Sequence, residues 1–228
     1  MYTVYMSKPL IKVFALFCSI YTVICLLTFY LTKHQLHLAL VWNLFLAFLP
    51  LLFSSFAVRP KQNKWLTVTW MIFWLLFFPN AIYVFTDVIH LGELSFYGER
   101  FYEVSRVVYN RDFTIWLELI TVISGVFLAL MMGLLSLLNI HKFLARRTSK
   151  VKIWSLIIGV SLLSSLAVFI GRFLRFNSWD MVARPWNTVV KTIQNLDSFA
   201  LGYILLTTFF TLFVYAIFYQ LYRLAKKS

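Results

Sequence analysis

The run FFPNAIYVFTDVIHL, Phe77 to Leu91, begins as membrane-grade sequence and ends with four side chains capable of chemistry: Asn80, Tyr83, Asp87 and His90. At about 100° per residue these four fall within about 80° of arc, so a continuous helix would carry them as one polar stripe. An amide, a phenol, a carboxylate and an imidazole on one face can hold a polar ligand. Asp87 and His90 are also the candidate catalytic pair, with the carboxylate orienting the imidazole as a general base. Pro79 removes one backbone hydrogen bond and predicts a kink at the inner edge of the stripe. The same residues would equally suit an interfacial helix end, with Tyr83 in an aromatic belt.

A second stretch, GRFLRFNSWD, runs from Gly171 to Asp180. Arg172 and Arg175 lie one turn apart on one face and could clamp a phosphate or carboxylate, or could reach toward lipid headgroups. Gly171 suits close approach by another backbone. Asn177 followed by Asp180 reads as an N-cap with an acidic first turn, opening a short helix that ends before Pro185. Asp180 joins the ligand-binding candidates.

Glu118 is a further candidate. It sits about 9 Å into an apolar segment, where a carboxylate is costly unless paired. Depth alone predicts a pair with Arg172 or Arg175. His34 and His37, three residues apart, could ligate a metal with His90 and Asp87 completing the set. No H-E-x-x-H accompanies them, so no metal or other cofactor is expected, and these histidines are the residues that would serve if one bound. Asn43 is on a different face from His37 and is expected to hydrogen-bond a neighbouring helix. Neither a nucleophile elbow nor a phosphate-binding loop is present. Cys18 and Cys25 are about 10 Å apart along a helix, too far for a disulfide.

The elements that must position these residues follow from composition. The chain has 228 residues, 61% hydrophobic and 13% charged, against about 45–50% and about 25% in soluble domains. Only lipid can serve as solvent for so much apolar surface. Six segments reach the roughly 20 residues a bilayer requires: about 10–31, 36–58, 65–85, 113–138, 153–173 and 199–222. The first is too long for a signal-peptide core and is expected to be retained. The expected fold is an all-α polytopic membrane bundle of six helices in a single domain, 1–228. With the N-terminus inside, thirteen of the 21 Lys and Arg residues lie on the cytoplasmic side, which predicts cytoplasmic N- and C-termini. All eight acidic residues then fall on or near the outer side. The net charge of +13 matches basic loops beside anionic headgroups, and with no compact basic domain outside the apolar segments, no nucleic-acid partner is expected.

The stretches Pro79-Asn80, Tyr83, Thr86-Asp87, His90-Leu91, Gly171 to Arg175 and Asn177 to Asp180, with Asn43 to Ala47 and Pro50, resemble a bacterial family of integral-membrane proteins known as a domain of unknown function. That resemblance implies a multi-pass protein of the bacterial cell membrane and supplies no activity. The leading expectation is binding or transport of a polar or anionic, lipid- or envelope-related ligand in an outward-facing pocket. Asn80, Tyr83, Asp87 and His90 would form one wall, facing Arg172, Arg175 and Glu118. Membrane lipids are the expected partners. Two alternatives stay open: a membrane-embedded enzyme acting on lipid-linked phosphates, and a structural or accessory subunit.

Overall fold

The computed structural model describes residues 8–97, 108–176 and 180–227. Six long helices cover most of them: α1 (Lys8–Thr32), α2 (Leu36–Ala57), α3 (Lys64–Tyr83), α4 (Phe113–Leu144), α5 (Lys150–Phe173) and, after two short helices, α8 (Ser198–Ala225). The short pair is α6 (Asp180–Ala183) and α7 (Pro185–Gln194). All six long helices have the length and hydropathy to cross a membrane. Their starts follow local chemistry. Side chains of Asn63, Asp112, Ser149 and Asp197 each accept a hydrogen bond from a first-turn amide, as N-caps do. Pro185 stands at the first position of α7, where a missing N–H costs nothing. The expected break before Pro185 is present, while the proposed cap Asn177 lies outside the described residues.

Helices α2 and α4 occupy the middle. α2 packs on α1, α3 and α4, whereas α5 packs on α3 and α8. Between helices in lipid, small residues permit close approach. A Cβ at Gly133 would press against Ala81 of α3, and one at Gly125 would collide with the Tyr21 hydroxyl of α1. That hydroxyl donates to the Thr121 carbonyl at 3.0 Å. Outward positions such as Leu27, Leu206 and Phe209 are exposed, the reverse of a soluble surface and as expected for lipid contact.

α4 runs to Leu144, past the expected end near residue 138. Its polar residues are satisfied inside the bundle: Asn139 donates to the Ser54 hydroxyl at 3.2 Å, and His141 lies 2.7 Å from the Tyr215 hydroxyl. With those bonds made, a polar residue is no reason for the helix to stop.

α3 continues through Pro79 and then tightens. From Val84 to Glu93 the backbone is a ten-residue 3-10 helix, far longer than the three or four residues usual for that form. Two ends can be distinguished. The acidic end gathers the 3-10 segment, the start of α4 with Glu118 and the end of α5. The basic end carries Lys142, Lys150 and Arg223.

Candidate functional site

The 3-10 segment builds the acidic end. Asp87, 2% exposed, has both oxygens engaged: Oδ1 accepts from Arg172 Nη2 at 2.5 Å, and Oδ2 accepts from Asn43 Nδ2 at 2.8 Å. Arg172 also donates from Nε to the Thr86 hydroxyl at 2.9 Å, and its guanidinium lies 4.4 Å over the Tyr83 ring. Thr86 in turn donates to the Tyr83 carbonyl at 2.7 Å. One buried network thus ties α2, the 3-10 segment and α5 together. Asn43 does bond a neighbouring element, as its position suggested. Gly171 makes room for the Tyr83 ring, whose Cε2 would sit 3.3 Å from an added Cβ; the close neighbour is a side chain, where another backbone had been expected.

His90 is separate from this network. In a 3-10 helix residues three apart eclipse at about 6 Å of rise, so His90 stands a full turn beyond Asp87. The carboxylate it meets is that of Glu93, with Nδ1 to Oε1 at 3.5 Å. The single stripe of Asn80, Tyr83, Asp87 and His90 is therefore divided. Asp87 faces Arg172 and Asn43, and does not orient His90 as a base.

Glu118 requires a correction. Its partner is His34, Nδ1 to Oε2 at 2.9 Å, with His37 Nε2 3.8 Å from the same oxygen; it pairs with neither arginine. Depth had matched, but direction did not: α4 packs on α1, α2 and the 3-10 segment, while the arginines end α5 on the other flank. His34 Nε2 also lies 3.9 Å from Glu93 Oε2. The histidine–carboxylate set at this end is thus His34, His37, Glu118 and Glu93, where His90 and Asp87 had been expected to complete it.

Arg175 does not share the Asp87 network. It is exposed, with φ at 58°, and the Phe176 amide bonds back to the Ile170 carbonyl at 3.4 Å. That is a helix-ending turn with a left-handed residue, a place that favours glycine. Asp180 opens α6, and its backbone carbonyl accepts from the Arg184 amide at 2.8 Å.

A cavity of about 430 Å3 lies between α2, α3 and α5. Leu46, Ile72, Leu75, Leu163 and Ala167 give it apolar walls, and Asn43, Asn80, Tyr83 and Gly171 line it where the helices approach the acidic end. Asn80 is held by a bond from its Nδ2 to the Phe77 carbonyl at 3.0 Å. Of the residues lining this cavity, Asn80 and Tyr83 had been named from the sequence as one wall of a pocket. Thr86 and Glu93 had not been singled out for a site, because their roles depend on the 3-10 geometry.

The family described as protein of unknown function (DUF1361) matches residues 42–214. The match takes in Asn43, Asp87, Glu118, Arg172 and Arg175; His34 and His37 precede it. No curated protein and no solved structure matches the chain.

Proposed function

The chain belongs to this family of proteins of unknown function, and we propose that it binds or carries an amphiphile with a polar or anionic head at the outer side of a bacterial cytoplasmic membrane. The cavity between α2, α3 and α5 carries the reading. Its apolar walls suit an acyl chain, and Asn43, Asn80 and Tyr83 collect at one end, where a headgroup would sit. Arg172 is neutralised by Asp87. Arg175, exposed and next in sequence to the cavity-lining Phe176, is the cation for an anionic head. The distribution of Lys and Arg supports cytoplasmic termini and an acidic end directed outward.

The test is native mass spectrometry of the delipidated protein with phosphatidic acid and with diacylglycerol of the same chains. Wild type is expected to prefer phosphatidic acid by about tenfold, the worth of one charge-assisted contact. Ala167→Phe, which fills the cavity, should lose both lipids. Arg175→Gly, which suits the left-handed backbone, should keep the fold and lose only the preference. Wild-type binding no stronger than that of Ala167→Phe would sink the reading.

A further inference from the structure

His34, His37 and Glu118 offer one ligand atom each, all within 4.8 Å of one another. His34 lies in the turn before α2 and His37 in the first turn of that helix, where the His37 amide bonds the His34 carbonyl at 3.3 Å. Glu118 arrives from the second turn of α4. The spacing is that of a coordination sphere: ligand atoms about 2.0–2.1 Å from a tetrahedral ion lie about 3.3 Å apart. The separations from Glu118 Oε2, 2.9 Å to His34 Nδ1 and 3.8 Å to His37 Nε2, bracket that value.

A second observation is independent of spacing. His37 is 0% exposed, and among the described residues neither of its ring nitrogens has a hydrogen-bond partner. Buried polar groups are almost always partnered, and an imidazole aimed at a buried carboxylate and a second imidazole, yet bonded to neither, is placed to take a shared ligand. His34 has the arrangement of a supported ligand. With Nδ1 directed to the cluster, its Nε2 faces Glu93 Oε2 at 3.9 Å, the carboxylate–histidine–metal order seen around zinc.

We propose that His34, His37 and Glu118 bind a divalent transition metal of the zinc class, with Glu93 as the outer carboxylate behind His34. Two imidazoles and one carboxylate suit zinc, cobalt or nickel better than magnesium or calcium, which take all-oxygen sets. Three protein ligands leave one coordination position for water or another ligand.

The test uses the full chain, purified in detergent, stripped with chelator and titrated with Co2+ while the visible spectrum is recorded. Wild type should bind about one ion per chain with the intense bands of a four-coordinate site, displaced by Zn2+ and not by Mg2+. Glu118→Gln and His37→Gln should lose the bands. Glu93→Gln, at a side chain 64% exposed and so safe for folding, should weaken binding by about 10–100-fold. A folded wild type with no bands and no retained zinc overturns the proposal. So do bands that persist in both ligand variants, or, should those variants not fold, binding unaffected by Glu93→Gln.

Discussion

His37, near the start of α2, and His141, near the end of α4, are both almost wholly buried, at 0% and 4% exposure. Their surroundings differ. His141 has a hydroxyl 2.7 Å from Nδ1, stacks on Tyr219 at 4.6 Å between ring centres and meets the Trp154 ring edge-on. Among the described residues His37 has no hydrogen-bond partner, and a carboxylate lies 3.8 Å away. A histidine whose neighbours complete its bonds is a packing residue, however polar it looks. The basic end is thus held by neutral hydrogen bonds and rings, as in Trp74 Nε1 to Ser136 and Asn139 to Ser54. The acidic end is held by charges: Asp87 with Arg172, and Glu118 with its histidines.

The largest effect expected from this contrast is at the acidic end. Arg172→Ala strands Asp87 without its counter-charge and should cost about 3–5 kcal/mol, the usual penalty for breaking a buried pair. It would be read as a fall in melting temperature in detergent. Replacing both partners by leucine should recover most of that loss, and a single variant that melts like wild type would erase the distinction between the ends. At the basic end Tyr215→Phe removes the hydroxyl from His141 and should cost about 1–3 kcal/mol. That loss should be the same with and without chelator; a chelator-dependent loss would mean the basic end also relies on an ion.

The smallest effect concerns the fully exposed cap of α4. Asp112 accepts from the Thr114 amide and hydroxyl at 2.9 and 2.8 Å, and these bonds hold its carboxyl below the ordinary value of 3.8. The folded value is the lower one, so the cap's contribution is complete above pH 3.8 and is lost as pH falls through the folded value. The Thr114 amide shift should therefore titrate with a midpoint below 3.8. A midpoint at or above it would show that the cap is not formed.

The six spans were legible because length and hydropathy suffice to define them; each expected segment is matched by a helix. The importance of Asp87, Arg172 and Glu118 was legible too, since charge inside an apolar run must be compensated. Their partners were not. Residue spacing gives depth along a helix and direction around its own axis, but not which helix stands on which side. Glu118 was therefore assigned arginines at the right depth on the wrong flank. The change from α to 3-10 after Tyr83 was hidden as well. Pro79 marks a disturbance, yet the tightening begins five residues later, where Thr86 bonds back to the Tyr83 carbonyl. Asp87 and Glu93 both stand three residues from His90 in this segment, and it is Glu93 that His90 meets, because Asp87 is held by Arg172 and Asn43.

The 3-10 segment also acts as a ruler. From Asp87 to Glu93 its six steps span about 12 Å at 2.0 Å each, where an α-helix would cover about 9 Å. Asp87 is fixed at one mark by Arg172 and Asn43, and Glu93 reaches His34 from the other. Rewinding the segment into α-helix would shorten that reach by about 3 Å, so the two marks cannot both keep their partners in the α form. Contacts at its two ends, made with α2, α5 and the turn before α2, set the winding between them.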